Sequence, residues 1–401
     1  MIKLHSRRTT CLIVSILYIL LLVLPASGKA VDVPTTATLI AEQQPGSDTP
    51  IVITENVDFE NQGWPGAGTQ EDPYVIANLY ISGMPASIEV VNVDVHFVIR
   101  NCTLEAKEGD DAVGIRLVDV KNALIEECTI GDMEWGIHLQ NSSGCEVTDC
   151  SIYNCNTGVL FRQVGNSMLH NCAAYRCNFG VKVYESENCI FQSNRVFGNK
   201  IAGISLGPHA NRCTVFQNSI GWNEDWTGTC NAQDEGQDNS WNESTQGNSW
   251  ANYDGNETYP ISGNASSVDY HPALLEDEEP PQVNSPEDIT YEYGSKGFAI
   301  NWSFSDDYPR SIRIIRNNVT MKPLDWHNNK LSFKVDNLPY GVHNCTIVLT
   351  DWGGNQRSDS VRVIVMYSIF GGLGTPYVLV SSALSVFAVA AVILVMIRTR
   401  E

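Results

Sequence analysis

Positive charge is scarce in this chain: its 401 residues carry 25 Lys and Arg against 46 Asp and Glu, a formal net charge of −21. A nucleic-acid binder needs a basic surface to neutralise phosphates, so that class is excluded. The acidity fits a self-repelling, solvated surface. Metal-ligand spacing is lacking as well. No Cys-x-x-Cys and no close pair of histidines occurs, which removes the usual sequence signatures of a zinc or redox site. The Gly63 to Gly68 turn has no lysine behind it and no helix-period segment after it, so it reads as a capping turn and not as a phosphate loop. A Leu-x-x-Leu-x-Leu pattern is absent too, which argues against a leucine-rich horseshoe.

The long apolar runs lie at the two ends. Residues 1–28 have a basic start at Lys3, Arg7 and Arg8, an apolar stretch from Cys11 to Leu24, and small residues after it. That is the layout of a secretory signal peptide. Tyr377 to Ile397 carries no charge and is followed by Arg398 and Arg400. About 20 apolar residues cross a bilayer as a helix, with basic residues kept on the cytoplasmic side. Together the ends predict a single-pass protein anchored in the cell membrane, its bulk at the cell surface and residues 398–401 in the cytoplasm.

Between the ends the sequence repeats. Gly114, Gly136, Gly158 and Gly180 stand 22 residues apart, and Gly203 follows 23 later. Each opens an alternating run, from Gly114-Ile115-Arg116-Leu117 to Gly203-Ile204-Ser205-Leu206. Alternation inside such a period describes a coil of three short strands that cannot bury its apolar face alone, so stacked coils supply the core. The fold class this predicts is all-β, a parallel β-helix. Ile115, Ile137, Val159, Val181 and Ile204 form one inward column, and Leu117, Leu139, Phe161, Val183 and Leu206 another. The glycines are expected to supply positive-φ turns. Further ladders run through Cys128, Cys150, Cys172, Asn194 and Asn218, through Cys155, Cys177 and Asn199, and through Cys145, Ser167, Cys189 and Cys213. Stacked amides bond along such a column. The thiols are expected to be buried, free and small, with disulfides between adjacent coils as the competing arrangement.

The turn Gly68-Thr69-Gln70-Glu71-Asp72-Pro73-Tyr74-Val75-Ile76, the repeats, and the closing segments Gly247 to Tyr253, Tyr259 to Ile261 and Ser267 to Pro272 resemble the NosD-type right-handed β-helix family. Its repeats are also known as carbohydrate-binding and sugar-hydrolase repeats, and the opening turn is common in archaeal members. The resemblance covers about 51–275 and implies a right-handed coil and export. That family includes a maturation factor for a copper enzyme, sugar-acting enzymes and surface proteins, so the resemblance leaves the activity open.

The domain organisation read from the sequence is a signal peptide (1–28), a linker (29–50), the β-helix with its caps (51–275), an acidic proline-ended linker (276–282), a β-sandwich (283–366), the transmembrane helix (377–397) and the tail. The runs Asp288 to Tyr293, Phe298 to Phe304, Ser311 to Arg316, Leu331 to Val335, Cys345 to Thr350 and Val361 to Val365 alternate at strand period, the pattern of a small sandwich. With the Thr350 to Asn355 hairpin they resemble Ig-like or fibronectin-type modules of exported proteins.

For function, the outward column Arg116, His138, Leu160, Lys182 and Ser205, with Gln140, Arg162 and Tyr184 two residues on, makes a basic strip in an acidic chain. The turns before it hold Asp110, Asp111, Asp132 and Glu134. Two readings stay open. One is a non-catalytic surface that binds carbohydrate or a cell-surface protein, with Arg162, Tyr184, Trp222 and Trp226 as glycan contacts. Tryptophans 222, 226, 241 and 250 equally suit a plug over the end of the stack. The other is a polysaccharide lyase or glycoside hydrolase in which Arg116, His138 and Lys182 work with Asp132 or Glu134, a base and a clamp for a uronate, with Ca²⁺ held by carboxylates. A copper-maturation role is implied by the family resemblance alone, and no metal ligand set is assigned. Eight Asn-x-Ser/Thr sequons, at Asn101, Asn141, Asn242, Asn256, Asn264, Asn301, Asn318 and Asn344, are candidate N-glycosylation sites in an exported chain.

Overall fold

The computed structural model describes residues 49–367 except 83–85, 107–111, 224–229, 322 and 327–328. The expected signal peptide, transmembrane helix and cytoplasmic tail, nearly all of the 29–50 linker, and Asp110, Asp111 and Trp226 lie outside the described residues.

Three parallel sheets run along a β-helix of about eight coils. The first has eight strands, from Ile51–Ile53 to Ala232–Asp234; the second has seven, from Tyr74–Ala77 to Thr214–Phe216; the third has nine, from Tyr80–Ser82 to Ala273–Leu274. Strands one period apart pair in register, so Ile115, Ile137, Val159, Val181 and Ile204 are successive partners. Coils about 4.8 Å apart stack like on like, and both expected apolar columns are buried at 0–1% exposure.

The repeating glycines serve a different purpose from the one expected. None of Gly114, Gly136, Gly158, Gly180 and Gly203 has positive φ. A Cβ at Gly136 would lie 2.6 Å from the Gly158 carbonyl oxygen and 2.5 Å from Ile152 Cγ2. The column is glycine because the next coil's backbone occupies the space. Left-handed residues stand at the bends instead, for example Asn101, Glu127, Asp149, Asn171, Ser193 and Gln217. Asn and Asp enter that region more readily than other side-chain-bearing residues.

At the same bends the strand ladder leaves backbone groups for side chains to satisfy. Asn194 shows how: its Nδ2 donates to Leu169 O (2.9 Å) and its Oδ1 accepts from the Cys172 N–H (3.0 Å), both in the preceding coil. Asn218 and Asn248 repeat the arrangement one and two coils on. In the earlier coils cysteines hold these positions, and their thiols make the longer bonds of sulfur, such as Cys172 Sγ to Val147 O at 3.7 Å. The ten buried cysteines among the described residues form no disulfides, and burial pushes the Cys145 thiol up to about 11.

Both ends of the stack are closed by aromatic plugs. Phe59, on the short helix Asp58–Asn61, is fully buried and stacks on Tyr74 at 4.8 Å. At the far end Trp241 and Trp250 are fully buried, and their indole N–H groups donate to the buried carboxylates Asp234 and Asp269 (2.9 and 3.0 Å). Asp269 also accepts from the Asn248 N–H at 2.7 Å, so the amide ladder terminates on it.

Beyond the coils, the strands Ile289–Glu292, Ala299–Ser305, Pro309–Arg316, Lys330–Lys334, Gly341–Asp351 and Gln356–Met366 fall on the runs that alternate in the sequence. They form two further sheets around a separate core that includes Trp302, Trp326 and Ile347. This C-terminal part packs on the outward face of the third sheet. Tyr153, Tyr175 and Phe197 form an aromatic column there, joined by Tyr308, Trp222 and Trp352. Arg195 pairs with Asp307, and Arg176 donates to Arg310 O at 2.7 Å. Gly198 leaves room for Trp352, whose ring would lie 2.5 Å from a Cβ at that position.

Two outcomes follow from this packing. Gly136→Ala should destabilise the protein by about 1–3 kcal/mol, the range for overpacking a filled site. Gly165→Ala, whose new methyl meets nothing nearer than 4.0 Å, should be close to neutral; urea unfolding distinguishes the two. The ten buried thiols should resist alkylation in the native protein and react in urea, as mass spectrometry reads directly.

Candidate functional site

The outward face of the first sheet is set by a break in alternation at the repeated glycine. Trp135 and Phe179 each precede one of these glycines, and each ring lies over the residue three positions later. Trp135 meets His138 edge-on with centroids 4.7 Å apart. The Lys182 ammonium sits 3.8 Å from the Phe179 centroid and 5.1 Å from that of Tyr184, within cation–π range.

The break changes the status of His138. Strict alternation places it in solvent, but it is 3% exposed and neither ring nitrogen has a hydrogen-bond partner among the described residues. Burial, then the nearby charges of Arg116 and Arg162, push its pKa down to about 4. It is therefore a neutral, covered imidazole near pH 7, a weak base poorly placed to take a substrate proton. Leu160 and Ser205, expected outward in the same column, are buried too.

Arg116 is half-buried and its guanidinium pairs with Glu89 one coil earlier. The sequence signal for this partner was the outward position in Ile88-Glu89-Val90. Asp132 and Glu134 sit at the bend between the third and first sheets, each accepting from an amide one coil on. Asn154 Nδ2 donates to Asp132 Oδ1 (3.2 Å), Asn156 Nδ2 donates to Glu134 Oε1 (2.5 Å), and Asn178 Nδ2 continues that ladder to Asn156 Oδ1 (2.7 Å). Burial raises the pKa of Tyr153 and Cys155, and the Asp132 charge adds a smaller push to both, which places that charge beside the third sheet. The expected grouping of Asp132 or Glu134 with Arg116, His138 and Lys182 is thus replaced by separate partners for the two acids and for Arg116. Exposed Arg162 and half-buried Lys182 have no carboxylate partner among the described residues.

Trp222 is engaged elsewhere: its ring packs on Tyr308, centroids 5.2 Å apart, in the seam with the C-terminal sheets. That contact takes it from the expected sugar-stacking role, and Trp241 and Trp250 are internal plugs. A polar cleft of about 460 Å³ lies beside this cap, lined by residues that include Asp238, Asn239, Asn242 and Tyr270. Sequon residues Asn101, Asn141, Asn256, Asn264, Asn301, Asn318 and Asn344 are exposed, and Asn242 is half-buried. Sequence reasoning missed one acid–base pair on the second sheet. His170 Nε2 lies 2.7 Å from Glu146 Oε1, with the Thr148 hydroxyl 3.4 Å from its Nδ1.

A family model described as a right handed beta helix region matches residues 50–259, just over half of the chain. The chain belongs to the right-handed β-helix family. No curated protein matches it. Solved structures similar to it include an alginate lyase from Paenibacillus sp. str. FPU-7, at 13% identity and TM-score 0.39 over 50% of this chain and 76% of that one. A second is the periplasmic alginate epimerase AlgG, at 15% identity and TM-score 0.34 over 54% and 44%. A third is the bacteriophage CBA120 tailspike protein 2, at 10% identity and TM-score 0.30 over 72% and 57%. None of these likenesses informs the chemistry of this right-handed β-helix. Ten of its described thiols are buried in the packed core, so the described cysteines do not form the accessible set that copper transfer requires.

His138 makes a direct test of the covered face. Its folded pKa lies below the ordinary 6.5, so the folded state binds the proton less well than the unfolded chain does. Full stability is expected above pH 6.5, with loss as the pH falls toward 4. His138→Leu, which extends the apolar neighbour Leu160 along the column, should flatten that slope and raise the melting temperature at pH 5 relative to the wild type.

Proposed function

We propose that this protein is a membrane-anchored, cell-surface β-helix that binds acidic polysaccharide on the outward face of its first sheet. The observation that carries the reading is two outward cations of the first sheet, Arg162 and Lys182, that have no carboxylate partner among the described residues, in a chain of net charge −21. Phe179 and Tyr184 flank the Lys182 ammonium. An anionic sugar offers carboxylates to the cations and an apolar ring face to the aromatics, and bonds to charged groups are the stronger class. The NosD-type resemblance, a C-terminal Ig-like module and the two terminal apolar segments support presentation at the cell surface, with the exposed sequons as glycan carriers. Binding of a neighbouring surface protein on the same face is the variant of this reading that the sequence also allows.

The test is a glycan array and a pull-down with the full-length protein in detergent. Acidic polysaccharides should bind and neutral ones should not. Arg162→Glu with Lys182→Glu should weaken binding at least about tenfold, because a bond to a charged group contributes roughly 1.5–3 kcal/mol. A blank array, or equal binding by the double variant, sinks the reading.

A second reading, a polysaccharide lyase or glycoside hydrolase, is favoured by the His170–Glu146 pair, in which a carboxylate orients an imidazole at an accessible surface. Here His170 supplies the base to a substrate lying along the second sheet. New reducing ends or unsaturated products from acidic polysaccharide, lost in His170→Gln, would establish it. No turnover across a broad panel would remove it.

A further inference from the structure

Three carboxylates meet where the chain leaves the β-helix. Asp277 lies on the connecting segment, Asp306 on the loop after strand Ala299–Ser305, and Asp351 at the end of strand Gly341–Asp351. One oxygen of each lies within 4.8 Å of the others. No basic side chain pairs with any of the three among the described residues.

Each carboxylate already has one oxygen committed to a backbone N–H. Gly353 N donates to Asp277 Oδ2 (3.3 Å), Tyr308 N to Asp306 Oδ1 (2.7 Å), and Asn355 N to Asp351 Oδ1 (2.7 Å). The second oxygen of Asp351 has a separate claim for a partner. This residue is fully buried, and its Oδ2 has no hydrogen-bond partner among the described residues. A buried anionic oxygen without donor or cation is strongly unfavourable, and this one belongs to a group of like charges.

We infer that Asp277, Asp306 and Asp351 form a calcium site that locks the C-terminal sheets against the β-helix. Ca²⁺ takes oxygen ligands at 2.3–2.6 Å in flexible geometry, so two oxygens on opposite sides of one ion stand about 4.8 Å apart, the limit within which these lie. The surrounding residues give the site its consequence. Asn355 Nδ2 also bonds Asp277 O (2.6 Å), and Trp352 N bonds Tyr308 O (2.9 Å). The ligand loops are thus the loops that carry Tyr308, Asp307 and Trp352 onto the third sheet. The ion joins the connecting segment to both. This site is independent of the glycan-binding face and stands whether or not that face binds sugar.

The experiment is terbium titration of the calcium-stripped full-length protein, with luminescence sensitised through Trp352 and displaced by Ca²⁺, alongside thermal unfolding with Ca²⁺ or chelator. The expected dissociation constant is about 0.1–1 mM, the range of extracellular modules. Added Ca²⁺ should raise the melting temperature by several degrees and protect segment 276–282 from protease, while Mg²⁺ at equal concentration does little. Asp306→Asn, at a half-exposed position that folding tolerates, should weaken Ca²⁺ binding at least about tenfold, with the circular dichroism spectrum unchanged. An absence of displaceable terbium signal in the wild type, or Ca²⁺ binding unchanged in Asp306→Asn, overturns the inference. The wild-type titration decides the matter even if Asp351→Asn does not fold.

Discussion

Each coil of this protein satisfies its backbone only by lying on the next one. The strands pair in parallel with neighbours one period away, so no coil has an internal ladder of its own. That dependence explains features that look unrelated in the chain. Glycine recurs where one coil's backbone approaches the next too closely for a Cβ. Cysteine and asparagine recur where a bend leaves an N–H and a carbonyl that only a side chain on the neighbouring coil can reach. It also dictates the ends, where the last coil has no neighbour. A tryptophan fills the core there, and a buried aspartate takes both the indole and the final amide of the ladder.

The outer surface is divided by the same stacking. Identical positions on successive coils make continuous stripes, and the stripes differ in use. On the third sheet the stripe Tyr153, Tyr175 and Phe197 is aromatic, and the chain's own C-terminal sheets cover it. On the first sheet the stripe is cationic and aromatic and remains partly open at Arg162, Lys182 and Tyr184. Net acidity elsewhere strengthens the contrast, since an unpaired cation in such a chain attracts anions that the rest of the surface repels. The seam adds a second electrostatic problem, three crowded carboxylates, which sits beside the contacts that hold the two parts together.

The coil architecture was legible in the sequence because its cause is periodic. Residues such as Ile137 and Leu139 repeat at fixed distance, and parallel stacking turns equal spacing into contact without further information. The six runs beyond residue 283 were legible for the same reason, alternation at period 2. The functional face was legible only in part. Arg162 and Lys182 could be named as outward cations, but His138 could not be read as buried, because Trp135 reaches it across a break in alternation at Gly136. Nor could Trp222 be separated from the plug residues, since its partner Tyr308 lies 86 positions away.

By itself, then, the sequence determined what recurs: the coil, its inward columns, and the places where amides and thiols stack. Tertiary structure alone decided the pairings between segments that share no period. Those are the aromatic stripe under Tyr308, and Asp277 brought to Asp306 and Asp351. The physical reason is that stacking energy is a nearest-neighbour term that repeats with the chain. Side-chain contacts between the coils and the C-terminal sheets depend on how two separately folded surfaces meet, and no local spacing encodes that.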